Sequence, residues 1–216
     1  MRIWDRLLDL LFPRRCVFCH KLIETEDPMC RDCRRIISLM AAERHKKKIS
    51  ASVDCYAPLL YEGDVRASLL RYKFQGQSVY AEVYGEFLSK CIDENEISCD
   101  SITWVPLSRR RLHRRGYDQA RLLAEQIAGR YGYPCVPMLK KLRDNPAQSR
   151  TGDAAKRKAN VAGVYAAINE EQIKGKRILL VDDIVTTGAT LSEAVKMLKA
   201  AGAVEIICIA LAQKRN

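Results

Sequence analysis

The sequence predicts an α/β fold in which a mostly parallel, doubly wound sheet follows a small cysteine-rich module at the N-terminus. Strand and helix patterns alternate from residue 53 onwards. The run Ile178-Leu179-Leu180-Val181 is apolar at every position, as expected of a strand covered on both faces. Four cysteines in two C-x-x-C pairs predict the module. We therefore expect two units, residues 1–45 and residues 51–216.

The chain begins with a short amphipathic helix, Ile3–Phe12, whose apolar face is interrupted by Asp5 and Asp9. No stretch approaches the roughly 18 consecutive apolar residues of a membrane-spanning helix. No small-residue cleavage site follows the helix, so a signal peptide is not expected. We expect the helix to pack on the body of the protein, with attachment to a membrane surface as the alternative.

The two cysteine pairs are Cys16 with Cys19 and Cys30 with Cys33, and ten residues separate them. Each pair supplies half of a tetrahedral thiolate site, so together they predict a structural Zn²⁺ with no open coordination position. The chain has nine cysteines, and this odd number with paired spacing fits a reducing cytoplasm better than a secreted disulfide framework. The other five are expected to be ordinary core or near-surface residues: Cys55, Cys91, Cys99, Cys135 and Cys208.

The second unit follows a polar segment without periodicity, Glu43–Ser50, which we interpret as a linker. Its elements are then predicted from apolar periodicity and from glycine and proline breaks. They are a strand Val53–Tyr61, helices Asp64–Phe74 and Tyr80–Asn95, a strand Ile102–Pro106, a basic loop Ser108–Arg115, a helix Tyr117–Tyr131, a strand over 134–140, a long loop Arg143–Lys158, strands Val164–Ile168 and Arg177–Val181, a helix Ala189–Ala201, and a strand Val204–Ala212.

The strongest functional signal lies where the buried strand ends. Asp182 and Asp183 come there, and a loop of small and hydroxyl-bearing residues then opens a helix. In a parallel sheet, ligands bind outside the carboxyl ends of the strands. Loop amides and a helix N-terminus suit a phosphate dianion, and Gly188 lets the backbone approach it closely. The paired carboxylates suit the two vicinal hydroxyls of a ribose.

The segment Ile178–Thr190 resembles the thirteen-residue motif with which type I phosphoribosyltransferases bind 5-phosphoribosyl-1-pyrophosphate (PRPP): four apolar residues, two acids and a hydroxyl-rich loop. The resemblance implies the fold of that class and PRPP bound together with Mg²⁺. It also implies that Asp182 and Asp183 hold the ribose hydroxyls. The residues implied for the 5-phosphate are Thr186, Thr187, Gly188, Ala189 and Thr190.

Almost the whole chain is similar to the ComF family, also called the ComFC competence type. The resembling pieces are the cysteine cluster, Tyr61 with Arg66, Lys73-Phe74-Gln75-Gly76, Val105-Pro106, Arg115-Gly116-Tyr117-Asp118-Gln119-Ala120, Arg157 with Asn160-Val161, and the PRPP motif. Three positions depart from the family pattern. Asp118 stands where the family has Asn, Asn145 where a threonine is common, and Thr151 where a leucine is common.

Positive charge is concentrated in one segment: residues 109–158 contain 14 basic and 4 acidic side chains, in a chain of net charge +11. The resemblance places part of this segment against the pyrophosphate, but it holds more arginines than one pyrophosphate can use. A groove for single-stranded nucleic acid, steering of PRPP and a plain solvated surface remain alternatives. Tyr72 and Tyr117 are candidates for base stacking. The cationic candidates are Lys73, Arg109, Arg110, Arg111, Arg114 and Arg115.

Three functions remain open at this stage. The resemblance implies a cytoplasmic protein of DNA uptake and natural transformation, which binds PRPP and single-stranded DNA and has a helicase-like uptake ATPase as a partner. A peripheral position at the inner face of the membrane is an alternative location. The second function is an active phosphoribosyltransferase on an unidentified nitrogenous base, and the third is a non-catalytic PRPP sensor. The fold alone does not decide between them.

Overall fold

A computed structural model of the chain describes residues 13–43, 45–143 and 163–215. The predicted helix Ile3–Phe12 and most of the predicted loop Arg143–Lys158 lie outside these ranges. The described elements are α1 (Arg31–Ala41), β1 (His45–Ser50), β2 (Val53–Ala57), β3 (Leu59–Leu60), α2 (Gly63–Phe74), α3 (Tyr80–Glu94), β4 (Ser101–Trp104), α4 (Arg109–Arg115), α5 (Gln119–Tyr131), β5 (Leu139–Lys141), β6 (Tyr165–Ala167), a 3-10 turn at Glu170–Gln172, β7 (Arg177–Val185), α6 (Ala189–Ala200) and β8 (Glu205–Gln213).

The central sheet has six strands, in the order β1-β2-β8-β7-β4, with β3 also paired to β8. Every pairing in it is parallel except that of β1 with β2. Helices cover both faces, so the predicted doubly wound fold is confirmed. Among the described residues, none of the helices combines the length and apolar character needed to cross a bilayer.

Alternate residues of β7 and β8 feed two hydrophobic cores, because successive side chains of a strand point to opposite faces. Leu179 and Val181 pack on one face with α2, α3 and α5. Ile178 and Leu180 pack on the other face with α6 and with the small antiparallel ribbon of β5 and β6. This two-sided burial explains why the strand reads as a continuous apolar run.

The predicted linker Glu43–Ser50 is wrong, because His45–Ser50 forms β1, an antiparallel strand at the sheet edge. Lys46 and Lys48 both form ion pairs with Asp54 on β2, at 2.8 and 3.3 Å, and the Lys46 ammonium lies over the Tyr56 ring. Lysines are common on edge strands, where they oppose pairing with another chain. The polar composition marked an exposed edge and not a loop.

The predicted basic loop Ser108–Arg115 is also wrong, since Arg109–Arg115 forms α4. The Ser108 hydroxyl caps the helix by accepting a hydrogen bond from the Arg111 amide, and Gly116 ends it with a φ of +81°. A serine cap, arginines of good helix propensity and a left-handed glycine together specify a short helix.

Two strands also differ in extent from the predictions. β7 continues to Val185, because its last residues pair with β8 as far as Gln213. The strand expected over Val53–Tyr61 is divided into β2 and β3 at Pro58, which has no amide hydrogen to donate to a neighbouring strand. Of the strand expected over 134–140, an isolated bridge at Cys135 and the start of β5 are found.

The cysteine module packs directly on α2 and α3. Phe18 is fully buried and contacts the rings of Tyr84 and Phe87. The Ser68 hydroxyl donates to the Val17 carbonyl, and the Arg71 guanidinium donates to the carbonyls of Val17 and Phe18. One hydrophobic core is therefore shared by the module and the helices that cover one face of the sheet.

Candidate functional site

A cavity of about 160 Å³ lies beyond the end of β4 and beside the last residues of β7. Parallel strands end together here, and such an edge is where α/β proteins bind ligands. Carboxylates and cationic side chains share the lining. Its ionisable residues are Lys73, Arg111, Arg115, Asp118, Lys141, Tyr165, Asp182 and Asp183.

Asp183 and Lys73 form an ion pair in the cavity lining. The distance from Lys73 Nζ to Asp183 Oδ2 is 2.8 Å, and both side chains are less than one-fifth exposed. Lys73 reaches this position because the end of α2 is fixed against the start of α5. The Tyr72 hydroxyl donates to the Gln119 carbonyl at 3.0 Å, and the Tyr117 hydroxyl donates to the Tyr72 carbonyl. The ion pair thus joins helix and sheet at the site.

Asp182 lies on the opposite face of the strand, where no cation pairs with it among the described residues. Its Oδ1 accepts a hydrogen bond from the Asp183 amide at 2.8 Å. Burial, and then the charge of Asp183, raise the pKa of Asp182 to about 8. Its charge also contributes, after burial, to the raised pKa values of Tyr165 and Cys208. The surroundings of the two carboxylates therefore differ. Asp183 is paired with a cation, whereas Asp182 is buried with a backbone amide as its hydrogen-bond donor.

Asp118 is a third carboxylate at the cavity. Its Oδ1 caps α5 by accepting from the Arg121 amide at 3.3 Å, and its Oδ2 accepts from the Leu107 amide at 2.9 Å. Burial is the main cause of its raised pKa, and the charge of Asp183 adds to it. Asp118 therefore ties the segment after β4 to α5 and brings negative charge close to Asp183.

The loop after β7 has the features of a phosphate cradle. Gly188 adopts a φ of +78° immediately before α6. Among the described residues, no backbone carbonyl accepts from the amides of Thr186, Thr187 or Gly188. A helix N-terminus adds further amides without intrahelical partners. These donors can bind an oxyanion, which the positive end of the helix dipole favours.

The structure divides the predicted site residues into three groups. Lys73, Arg111, Arg115, Asp182, Asp183 and Thr190 line the cavity. Thr186, Thr187 and Gly188 form the loop that leads into α6, and Ala189 is the first residue of that helix. Arg109, Arg110 and Arg114 lie on the exposed side of α4 and outside the cavity lining.

The two tyrosines considered for base stacking, Tyr72 and Tyr117, are less exposed than that role requires. Tyr72 is fully buried, so it is unavailable for base stacking. Tyr117 is half-buried and packs on the Tyr72 ring. Part of the basic segment 109–158 lies outside the described residues, including Arg150, Lys156, Arg157 and Lys158.

Sequence reasoning missed Asp118 and Tyr165 as cavity residues. A signal existed for Asp118, since an aspartate immediately before a helical segment is a typical N-cap. No local signal existed for Tyr165, because the β5–β6 ribbon alone brings it next to Asp182.

The second candidate site is the cysteine cluster. The sulfurs of Cys16, Cys19, Cys30 and Cys33 lie within 4.8 Å of one another. A tetrahedral ion with Zn–S bonds of about 2.3 Å separates its sulfurs by about 3.8 Å, so the cluster fits zinc after a small contraction. The Cys30 amide donates to the Cys16 sulfur and the Cys33 amide to the Cys30 sulfur, at 3.4 and 3.5 Å. Such bonds orient thiolate ligands.

Comparisons with known proteins agree with both sites. The family model for the phosphoribosyl transferase domain matches residues 113–216, and that for the double zinc ribbon domain matches residues 7–45. Competence protein F of Haemophilus influenzae is 30% identical over 63% of this chain and 62% of its own length. Competence protein ComFC of Streptococcus pneumoniae is 26% identical over 87% of this chain and 77% of its own. The two matched domains and these competence proteins fit the ComF-type description.

The chain is also similar to the DNA utilization protein YhgH of Escherichia coli, which is 32% identical over 51% of this chain. The matched region spans about half of that relative, 48%, and under two-thirds of the Haemophilus protein. The predicted fold is confirmed: a phosphoribosyltransferase-type domain with an N-terminal four-cysteine module. The zinc ribbon match and the cysteine cluster together support a structural zinc site in that module.

Proposed function

We propose that this chain binds PRPP as its Mg²⁺ complex in the cavity and handles single-stranded DNA during DNA uptake. The observation that carries the PRPP part is that one cavity combines both kinds of charge with a helix N-terminus. Asp182, Asp183 and Thr190 at the start of α6 line it together with the cations Lys73, Arg111 and Arg115. PRPP needs this combination, since its ribose hydroxyls favour carboxylate acceptors while its phosphate groups favour amides and guanidinium groups.

In this proposal, Asp182 and Asp183 accept from the ribose hydroxyls, and the amides of Thr186–Thr190 donate to the 5-phosphate. Lys73, Arg111 and Arg115 neutralise the pyrophosphate. Mg²⁺ would supply further positive charge between the pyrophosphate oxygens. Without ligand, the Lys73 ammonium and the Asp183 carboxylate neutralise each other. When the anionic ligand binds, Lys73 pairs with a phosphate group in place of Asp183.

Titration calorimetry with Mg²⁺–PRPP tests this assignment. Changing Asp182 and Asp183 to Ala should abolish detectable binding, because the ribose loses both acceptors while the folded core is kept. The matched control is Glu171→Gln, which neutralises an exposed carboxylate on the 3-10 turn and should leave the affinity unchanged. Unaltered affinity in the double variant, with a normal circular dichroism spectrum, would refute the site.

The DNA part of the proposal rests on the names of the relatives and on the outward side of α4. Competence proteins and a DNA utilization protein are similar to this chain. Arg109, Arg110 and Arg114 are exposed there and are not needed to line the cavity. Cations along one exposed helix face can follow a phosphodiester backbone without base contacts.

Reversing the charge of the exposed α4 arginines tests their contribution to DNA binding without changing a residue that lines the cavity. Changing Arg109, Arg110 and Arg114 to Glu should weaken binding of a labelled single-stranded oligonucleotide and lower the salt slope by up to about 3, one unit per lost phosphate contact. Changing Lys174, Lys176 and Lys196 to Glu gives the same change in net charge at other exposed positions and should have a much smaller effect. Equal losses in the two triple variants would indicate net charge alone.

An active phosphoribosyltransferase is the second candidate, favoured by the cations that line the cavity beside the two acids. Lys73, Arg111 and Arg115 could stabilise pyrophosphate as it leaves the ribose carbon. Pyrophosphate release that depends on one particular nitrogenous base would support turnover. PRPP binding without release for any base would support a binding or sensing role.

A further inference from the structure

Phe74 is an aromatic side chain exposed beside the cavity. It is the last residue of α2, and 58% of it is open to solvent. The preceding two residues point elsewhere: Tyr72 is fully buried, and Lys73 enters the cavity to meet Asp183. Gly76, with a φ of +69°, then turns the chain away. Phe74 therefore stands at the rim, next to the cation of the Lys73–Asp183 pair.

Arg115 connects Phe74 with the interior of the cavity. Its guanidinium lies over the Phe74 ring, 4.9 Å from the ring centroid, and the same side chain lines the cavity. Its Nη1 donates to Gln119 Oε1 at 2.7 Å. Its buried Nε has no hydrogen-bond partner in the described part of the chain. Burial is the first cause of the lowered pKa of this guanidinium. Arg115 is therefore held at the cavity by its contacts with Phe74 and Gln119, and its buried Nε lacks a hydrogen-bond partner among the described residues.

The surroundings of Phe74 restrict what it can bind. The charged side chain in contact with the ring is a cation, Arg115. Arg111 and Arg115 follow one side of α4, and Arg110 and Arg114 follow the other. A single exposed phenyl ring is too small to dock an apolar protein surface. A flat, π-rich group that carries phosphate fits both features, because the ring offers stacking and the arginines neutralise the phosphate.

We propose that Phe74 and Arg115 form a stacking platform that holds a nucleobase at the mouth of the cavity. The base lies against the open part of the Phe74 ring, and the Arg115 guanidinium supports the ring by lying over it. This inference rests on the proposed function and names the class of its second ligand. The base can come from single-stranded DNA or from a free acceptor base, and the experiment below distinguishes these sources.

The variants are Phe74→Ala, Phe74→Trp and the control Val204→Ala, which removes an exposed apolar side chain next to the start of β8. For wild type and each variant, binding is measured with three probes. They are a labelled oligothymidylate, an abasic oligomer of the same length, and free bases added with Mg²⁺–PRPP. Phe74→Ala should lose roughly 5- to 150-fold in affinity for oligothymidylate, the loss expected for one base–aromatic stack. Phe74→Trp should keep or increase it.

The abasic oligomer should bind wild type and Phe74→Ala equally, with the same salt slope, because no phosphate contact is removed. If wild type binds no oligonucleotide but a free base binds in a manner sensitive to Phe74→Ala, the platform serves an acceptor base. If wild type binds oligothymidylate and Phe74→Ala binds equally well, the platform is refuted while the proposed function stands. Absence of PRPP, oligonucleotide and base binding in wild type would overturn both.

Discussion

At the scale of single residues, the candidate site is governed by how its three carboxylates are compensated. Asp183 has Lys73 at 2.8 Å, and Asp182 accepts from one backbone amide. Asp118 accepts from two backbone amides and, within the described part of the chain, is paired with no cation. Buried negative charge without a cation is costly beside a ligand that is itself negative. The chain thus holds one more carboxylate than the proposed PRPP contacts require.

Replacing Asp118 by Asn should therefore strengthen PRPP binding, by roughly 3- to 10-fold at neutral pH, because one negative charge leaves the cavity. Asparagine keeps one carbonyl oxygen for the Leu107 or Arg121 amide. The gain should shrink as the pH falls, since the pKa of Asp118 is raised and protonation removes the same charge in wild type. Calorimetric titration over a pH series measures both effects.

Glu125→Gln is the matched control for Asp118→Asn, because it removes an exposed carboxylate from the same helix. Its PRPP affinity should equal that of wild type. Weaker binding by Asp118→Asn would show that the carboxylate contributes to the ligand site through its charge, as a metal ligand would.

At the scale of elements, β1 supports the loop that follows β7. A Cβ atom built on Gly188 would lie 2.9 Å from the Ile49 Cδ1 atom, and Gly188 has a φ of +78°. Ile49 belongs to the edge strand that was predicted to be a linker. The pairing of β1 with β2 therefore sets the wall against which the loop turns into α6.

Gly188→Ala should destabilise the protein by about 1–2 kcal/mol, because alanine is strained in the left-handed region and its methyl group crowds Ile49. It should also weaken PRPP binding, since the loop must shift to relieve the contact. Urea unfolding and calorimetry measure the two effects.

Gly129→Ala provides the comparison at a second glycine. Gly129 lies within α5, has no positive φ, and would have no atom within 4 Å of an added Cβ. Alanine there should stabilise the helix by roughly 0.5–1 kcal/mol and leave PRPP affinity unchanged. Equal stability changes at the two glycines would contradict the role assigned to the loop conformation.

At the scale of the whole molecule, the cysteine module and the candidate cavity are joined through α2. Ser68 and Arg71 bind carbonyl groups of the module, while Lys73 of the same helix reaches Asp183. The aromatic contacts of Phe18 with α3 belong to the same core. Loss of the metal should therefore be felt at the cavity as well as in the module.

Cys30→Ser isolates the contribution of the metal, because serine keeps the N-cap of α1 that the Cys30 sulfur provides. The variant should lose zinc, unfold at a midpoint about 5 °C or more below wild type, and bind PRPP more weakly. Metal analysis, thermal unfolding and calorimetry measure these properties.

Cys135→Ser serves as the reference for the zinc variant, since Cys135 is half-buried and lies outside the cysteine cluster. It should keep its zinc and its PRPP affinity. Full PRPP affinity in zinc-free Cys30→Ser would show that the module and the cavity are energetically independent.

The sequence by itself determined the features that depend on local pattern. The apolar run of β7, the acids at 182 and 183, the glycine before α6 and the two C-x-x-C pairs each have a signal within a few residues. They sufficed for the fold class, the cysteine cluster and, together with the arginine run, most of the ionisable residues that line the candidate cavity. These features can be predicted because the burial of a strand and the residue types that bind a metal are both visible in short segments of sequence.

Tertiary structure alone decided the features that depend on contacts between distant segments. Pairing with β2 made His45–Ser50 a strand. The orientation of α4 places Arg111 and Arg115 at the cavity and leaves Arg110 and Arg114 exposed to solvent. Packing of α2 against α5 placed Lys73 on Asp183 and left Phe74 at the rim. Such outcomes follow from long-range packing, which composition and periodicity do not encode.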